Sequence, residues 1–189
     1  MTRVKIALVG KAGSGKDTVA SILKEQYDIE AMALVDPIYT IANNLFKMQG
    51  KDRQLLRGIG KSLRAIDDYV FIKYLVNRVN DTSKDVIVTD VRLLKEYNRL
   101  RNEGFKFIIL ETDDENRYNR IKLRDSIIEY TMYDKINLEN DPTELGVLLV
   151  SEQIKSNEDE YGIINNNGDM DSLHKQVIDI YNKFKGENK

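Results

Sequence analysis

Short apolar segments recur along the chain and predict the strands of a buried sheet. They are rich in Val, Ile and Leu, and such runs are typical of strands that are covered on both faces. The second segment is the weakest of the set. The five predicted strands are Val4–Val9, Ala31–Val35, Val86–Thr89, Phe105–Leu110 and Tyr161–Ile164.

Helical patterns lie between these strands. Apolar residues recur there at spacings of three and four, which places them on one face of a helix. Strands that alternate with helices indicate parallel β-α-β units with right-handed crossovers, so the chain is predicted to be an α/β protein. The predicted helices are Lys16–Tyr27, Ile38–Phe46, Tyr69–Val79, Leu93–Glu103 and Met170–Phe184.

The stretch Asp125–Val150 does not follow this alternation. It is rich in Asp, Glu, Asn and Tyr. Two interpretations remain open, an inserted lid or an ordinary pair of surface helices. Tyr130, Tyr133 and the apolar run Leu145–Val150 also have two explanations, because both a homodimer interface and core packing use such residues.

Composition limits the class of function. The chain has 189 residues, which suits one domain. It contains no cysteine, and this excludes a disulfide framework, a thiolate zinc site, an iron–sulfur cluster and a cysteine nucleophile. Its single histidine, His174, cannot build a multi-histidine metal site. With 29 basic and 31 acidic residues, the chain is not expected to be built mainly to coat nucleic acid.

The apolar runs are also too short for a membrane protein. None approaches the length of a membrane span. The N-terminal segment lacks the long apolar core and the cleavage site of a signal peptide. We therefore expect a soluble, cytoplasmic protein with no membrane or nucleic-acid partner.

The segment between the first predicted strand and the first predicted helix matches the phosphate-loop pattern G-x-x-x-x-G-K. It reads Gly10-Lys11-Ala12-Gly13-Ser14-Gly15-Lys16. Glycines let the backbone turn its N–H groups toward phosphate oxygens, and the positive end of the following helix adds to that field. Lys16 would reach the β- and γ-phosphates. The segment predicts a site for nucleotide phosphates.

The residue after the loop lysine departs from the usual pattern. A Ser or Thr stands there in most phosphate loops and binds magnesium, whereas this chain has Asp17 followed by Thr18. Two roles for Asp17 remain open: it contacts magnesium through the ion's water shell, or it is a carboxylate favoured by the helix dipole. Thr18 would donate instead to an α-phosphate oxygen.

A second polar cluster, Asp90-Val91-Arg92, follows the predicted strand Val86–Thr89. Functional groups collect beyond the carboxyl ends of the strands in an open parallel sheet. Asp90 would therefore hold magnesium or take a proton, and Arg92 would bind an anionic substrate. The alternative is a helix N-cap beside a solvated arginine. Glu96, one turn later, is expected to orient Arg92 by an ion pair.

Two basic clusters complete the candidate site. The members of the first cluster, Arg117, Arg120 and Arg124, recur at spacings of three and four and therefore share one helical face. A polyphosphate is expected to contact Arg120 and Arg124. Arg117 is expected to be the most solvated of the three. The second lies within Asp52–Asp68 and predicts a cradle for an acceptor phosphate, with one or two ordinary surface residues among its members. That second cluster comprises Arg53, Arg57, Lys61 and Arg64.

Several of these segments together resemble the phage and bacterial family of deoxynucleoside monophosphate kinases, within the wider P-loop group of nucleoside monophosphate kinases. The resemblance extends over most of the chain and is loosest in residues 125–150. It rests on G-x-G-K-D-T in the loop, Leu55–Gly60, Asp90-Val91-Arg92 with Glu96, Ser151-Glu152, and Ile163–Gly168.

The resemblance implies a three-layer α/β/α P-loop NTPase core with a parallel five-stranded sheet. It also implies a helical acceptor-binding segment at about 38–80 and a lid at about 115–150, all within one domain. The implied reaction is transfer of the γ-phosphoryl group of ATP, with Mg²⁺, to a nucleoside monophosphate in its deoxy form. Phosphoryl transfer needs positioning and cations more than a strong nucleophile, which agrees with the residues present.

Site residues follow from the resemblance by position. The implied ATP-binding residues are Gly10, Ala12, Gly13, Ser14, Gly15, Lys16, Asp17, Thr18, Arg120, Asn166 and Gly168. The implied acceptor-binding residues are Asp36, Arg57, Arg64, Asp90 and Arg92. The residues expected to promote transfer are Lys16, Asp90, Arg92, Arg120 and Arg124, with Asp17 and Asp90 for magnesium.

Other readings of the phosphate loop stay open. One is a different small-molecule kinase, similar to dephospho-coenzyme A kinase or phosphomevalonate kinase. Another is a nucleotide sensor that binds ATP without turning it over. A guanine-nucleotide switch fits less well, because the chain has no N-K-x-D tetrapeptide. A DNA-translocating motor also fits less well, because the acidic pair typical of such motors is missing.

Overall fold

A computed structural model of the protein describes residues 3–126, 131–157 and 160–186. Tyr130, a candidate interface residue, lies outside them. The described strands are β1 (Lys5–Val9), β2 (Ile29–Met32), β3 (Asp85–Val88), β4 (Lys106–Glu111) and β5 (Tyr161–Asn165). The described helices are α1 (Lys16–Gln26), α2 (Asp36–Phe46), α3 (Arg53–Ile66), α4 (Val70–Asn80), α5 (Leu94–Asn102), α6 (Asp114–Arg124), α7 (Met132–Glu139), α8 (Pro142–Ser156) and α9 (Met170–Lys185).

The strands form one parallel sheet in the order β2-β3-β1-β4-β5. Strand β1 is central, and its residue Ala7 is in register with Val88 of β3 and Phe107 of β4. Because the three strands are parallel, their carboxyl ends reach the same edge of the sheet. The predicted α/β class with a five-stranded parallel sheet and surrounding helices is confirmed.

The core lies where β1 and β4 pack against α1 and α9. Ile6, Leu8, Leu23, Ile108 and Val177 are fully buried there. Burying a side chain of this size contributes about 1.5–3 kcal/mol. The strand that leads into the phosphate loop is therefore anchored in the core of the larger unit.

The chain forms two compact units. The larger contains residues up to 31 and from 84 onward, and the smaller contains residues 32–83. In the smaller unit, α2 packs against α3, and Gly60 lies close to Ile38. The same unit contains an ion pair between Arg78 and Asp36 at 2.8 Å and places the Arg64 guanidinium over the ring of Phe71.

The second strand begins and ends earlier than the sequence predicts. Strand β2 spans Ile29–Met32, so the prediction of a strand over Ala31–Val35 is wrong for its last three residues. The backbone N–H of Ala33 donates to the Asp36 carboxylate at 3.1 Å, and Pro37 stands in the first turn of α2. This turn chemistry starts a helix two residues before the predicted start and ends the extended segment.

The described part of the stretch 125–150 contains helix α7 and the first part of helix α8. Helix α7 has no buried residue among those described, as expected of a surface helix. Helix α8 buries Glu144, Val147, Val150 and Ile154 and packs against α5 and β1. Within the described ranges, no helix has both the length and the apolar character needed to cross a membrane.

Candidate phosphate-binding site

The loop between β1 and α1 has a fixed shape. Gly13 has φ 78° and Gly15 has φ 95°, in the left-handed region that favours glycine. A Cβ atom at Gly13 would lie 2.6 Å from the carbonyl oxygen of Arg117, and one at Gly15 would overlap the side-chain amide of Asn166. Both positions therefore exclude a side chain, for conformational and for steric reasons.

Lys16 lies inside the curve of this loop. Its Nζ donates to the carbonyl oxygens of Gly10 at 2.6 Å and Lys11 at 3.0 Å. Burial, together with the positive charge of Arg92, lowers the pKa of Lys16 from an ordinary 10.5 to about 8, while nearby carboxylates oppose the shift. Those carboxylates belong to Glu144, Asp17 and Asp90.

The turn after β3 places Asp90 and Arg92 near the same lysine. Asp90 is half-buried. The carboxylate of Glu96 accepts from the backbone N–H of Arg92 at 2.9 Å and of Leu93 at 3.0 Å, so it fixes the backbone of this turn at the start of α5. The guanidinium of Arg92 donates to Oγ1 of Thr143 at 3.3 Å.

The turn after β5 is bonded to the other side of the loop. The side-chain amide of Asn166 donates to the carbonyl oxygen of Ser14 at 2.8 Å. Arg120 donates to the carbonyl oxygen of Asn166 at 2.9 Å and to that of Gly13 at 3.5 Å. Four predicted ATP-binding positions are thus joined by direct hydrogen bonds, while Gly168 is exposed in the following turn.

The expectation that Arg117 is the most solvated arginine of α6 is wrong, since its exposed fraction is 1%. Its Nε donates to the carbonyl oxygen of Ala12 at 2.9 Å. Its terminal nitrogens donate to Asp114 at 2.5 Å, Glu139 at 3.1 Å and Glu144 at 3.3 Å. The helical-face argument considered like charges on one helix and missed the carboxylates that come from α7 and α8.

The remaining predicted arginines belong to α6 and to the smaller unit. Arg124 pairs with its neighbour Asp125 at 2.8 Å and is half exposed. In the smaller unit, Arg57 is exposed and Arg64 stacks on Phe71. Asp36 there accepts from the Ala33 amide and from Arg78.

Two carboxylates that the sequence analysis did not single out contact the loop. The backbone N–H of Ala12 donates to Glu144 at 2.9 Å, and Nζ of Lys11 donates to Glu139 at 2.5 Å. Lys11 and Arg117 together hold the pKa of Glu139 below its usual range, although burial alone would raise it. The sequence did contain a sign that Glu144 is buried, because Glu144 stands at helical spacing from Val147 on the apolar face of α8.

The donor set of the loop fits phosphate oxygens. It combines the N-terminus of α1, a left-handed glycine at the N-cap and the ammonium of Lys16. Ser14 is buried, and its hydroxyl has no hydrogen-bond partner in the described part of the chain. Magnesium typically binds one or two carboxylates together with substrate phosphates. The described residues contain no group of three or more acidic, His or Cys side chains that could hold a metal, so Asp17 and Asp90 would need phosphate oxygens beside them.

The fold and the loop define the class of protein: the chain contains an α/β domain with the P-loop NTPase-like fold. A family model described as "AAA domain" matches residues 6–141. The match covers most of the chain, and the chain belongs to this AAA-domain family. No curated protein matches the chain significantly in sequence.

Solved structures with similar folds include proteins named as kinases. The chain resembles TT1252 from Thermus thermophilus with a TM-score of 0.61 and 17% identity, covering 97% of this chain and 98% of that one. A gluconokinase from Sinorhizobium meliloti 1021 has a TM-score of 0.55 and 14% identity, covering 98% and 97%. A sugar kinase from Janibacter sp. HTCC2649 has a TM-score of 0.50 and 15% identity, covering 98% and 95%.

Proposed function

We propose that this protein transfers the γ-phosphoryl group of ATP to a nucleoside monophosphate, giving ADP and a nucleoside diphosphate. The observation that carries the proposal is the set of charges around Lys16. One arginine, Arg92, and three carboxylates interact electrostatically with this lysine; the carboxylates belong to Glu144, Asp17 and Asp90. Such a cluster suits a donor phosphate beside a second anionic substrate.

The residues of the chain have separate tasks in this proposal. Lys16 and the loop amides bind the donor phosphates, and Arg92 binds the phosphate of the acceptor. ATP supplies the transferred group, and Mg²⁺ supplies positive charge beside Asp17 and Asp90. Charge in the transition state is spread over peripheral oxygens, so fixed cations stabilise it without a strong nucleophile.

Arg120 acts at the opposite side of the loop. Its bond to the Asn166 carbonyl fixes its guanidinium beside Gly13. A cation held in place costs little reorganisation when charge develops nearby. Arg124, one helical turn further and half exposed, is proposed to stabilise the transferring group once the substrates are bound.

Different observations support the type of reaction and the identity of the acceptor. The gluconokinase and the sugar kinase support phosphoryl transfer to a small molecule. The nucleoside monophosphate rests on the resemblance carried by Leu55–Gly60 and Asp90-Val91-Arg92. A kinase for another acceptor, such as dephospho-coenzyme A, and a nucleotide sensor are the competing outcomes of the test below.

The deciding experiment measures ADP release from ATP and Mg²⁺ with each common ribo- and deoxyribonucleoside monophosphate added separately. Strong stimulation by one or a few of them establishes the reaction and identifies the acceptor. ATP binding without stimulation by any of them contradicts the proposal. Lys16→Ala should lower kcat by about a hundredfold or more. Lys24→Ala, an exposed lysine at the end of the same helix, is the matched control.

A further inference from the structure

The Ala12 residue of the phosphate loop is held by two side chains from outside the loop. Its backbone N–H donates to the Glu144 carboxylate at 2.9 Å, and its carbonyl oxygen accepts from Nε of Arg117 at 2.9 Å. These partners come from α8 and α6. Glu144 is 3% exposed and Arg117 is 1% exposed, so water does not compete for these bonds.

The carbonyl contact also fixes the next amide. In a trans peptide the N–H points opposite to the C=O of the same plane. The N–H of Gly13 is therefore directed away from Arg117 as long as Arg117 holds the Ala12 oxygen. Gly13 has no side chain to resist a rotation of this peptide, so the orientation depends on an external contact.

The two side chains also compensate each other's charge. They pair at 3.3 Å, and Arg117 is paired further with Asp114 and Glu139. Removing one member of a buried pair leaves the other without compensation. Each of the two residues therefore keeps the other in the geometry that holds Ala12.

We propose that Glu144 and Arg117 are positioning residues that hold the phosphate loop in the conformation that binds the nucleotide. The inference rests on the proposed function, because it assumes that the loop binds ATP. Neither residue needs to contact the nucleotide. A purely structural role for the pair would alter the unfolding temperature and leave the ATP affinity of the folded protein unchanged.

The test compares Glu144→Ala with Glu144→Gln. Alanine removes the acceptor for the Ala12 amide, whereas the glutamine amide oxygen can still accept from it. The folded Glu144→Ala protein should bind ATP about tenfold more weakly than the wild type, and glutamine should restore much of the loss. Glu160→Gln, which removes a carboxylate paired with Lys106 and Lys183, is the control for loss of an ion pair.

A second variant and a second readout cover the case in which Glu144→Ala does not fold. Arg117→Lys keeps the positive charge, but the single ammonium nitrogen of lysine cannot make all the hydrogen bonds that the guanidinium makes. ATP binding should therefore weaken in this variant too. Hydrogen exchange of the Ala12 amide, followed by NMR without nucleotide, should be slow in the wild type, somewhat faster in Glu144→Gln and fastest in Glu144→Ala, because a neutral amide oxygen is a weaker acceptor than a carboxylate. Unchanged exchange in the variants would overturn the inference.

Measurements of ATP affinity show whether the positioning role or the proposed function itself has failed. A wild-type protein that binds no ATP would contradict the proposed function itself. A wild-type protein that binds ATP, with Glu144→Ala and Arg117→Lys binding it equally well, would overturn the positioning role alone.

Discussion

The hydroxyl of Tyr181 donates to the buried carboxylate of Asp85 at 2.5 Å and joins the last helix to the start of β3. The same carboxylate accepts from the Val4 amide at 2.8 Å and pairs with Lys185 at 2.6 Å. Burial alone would raise the pKa of Asp85, but these hydrogen bonds outweigh it and the pKa lies below its ordinary 3.8.

Tyr181→Phe should therefore destabilise the protein. The variant removes one donor from a buried, charged acceptor, and we expect a loss of about 1–3 kcal/mol in the free energy of unfolding. Urea denaturation at neutral pH measures it. Tyr161→Phe, at a half-buried tyrosine that begins β5, is the matched control. Equal stability of the two variants would contradict the role given to the Asp85 contact.

The same cluster predicts a pH dependence. The pKa of Asp85 is depressed in the folded protein, so its contribution is present above the ordinary value of 3.8 and is lost as pH falls through the folded value. Wild-type stability should fall in that acid range, and Asp85→Asn should flatten this part of the curve. Urea midpoints measured at a series of acid pH values for both proteins test it.

Nucleotide binding should weaken as pH rises through the pKa of Lys16. Burial, with the charge of Arg92, lowers this pKa to about 8, so the lysine of the nucleotide-free protein loses its charge above that pH. Phosphates favour the charged form, and ATP affinity should therefore fall on the alkaline side. Binding titrations on both sides of pH 8 measure this. Lys16→Arg remains charged throughout and should lose the dependence; a wild-type affinity independent of pH would contradict the prediction.

Replacement of glycine by alanine should have opposite effects at two positions, Gly13 and Gly58. Gly13→Ala places a Cβ 2.6 Å from the Arg117 carbonyl oxygen at a φ of 78°, so it should disrupt the loop and weaken ATP binding. Gly58 lies in α3 with nothing within 4 Å of an added Cβ. Gly58→Ala should stabilise the protein by about 0.5–1 kcal/mol. Thermal unfolding and ATP titration of both variants distinguish these effects.

Thr143→Val should affect the acceptor more than ATP. The substitution keeps the shape of the side chain but removes the oxygen that accepts from Arg92 at 3.3 Å. Because Arg92 is proposed to bind the acceptor phosphate, the KM for the acceptor should rise while the Kd for ATP stays the same. Steady-state kinetics and ATP titration measure the two separately. Ser156→Ala, at the other end of α8, is the control and should change neither.

Sequence reasoning located the features that depend on local pattern. The apolar runs predicted the sheet, and the spacing of Gly10, Gly15 and Lys16 predicted the loop. It failed at Arg117, because whether a charged residue is buried depends on partners such as Glu144, which lies far along the chain. It also misplaced the end of the second strand, where the contact between Ala33 and Asp36 starts a helix. Both errors concern polar side chains whose burial or conformation depends on which polar groups they contact, and the pattern of their own segment does not show those contacts.

The first turn of α8 connects the two halves of the site. Thr143 accepts from Arg92, Glu144 accepts from the Ala12 amide, and Gly146 lies so close to the Arg92 carbonyl oxygen that no side chain would fit. In the proposed reaction, a shift of this turn would affect both the loop proposed to bind ATP and the arginine proposed to bind the acceptor. Thermodynamic reciprocity then requires that ATP change acceptor affinity by the same factor as the acceptor changes ATP affinity. The contacts of this single helical turn would then determine whether the two ligands strengthen or weaken each other's binding, and by how much.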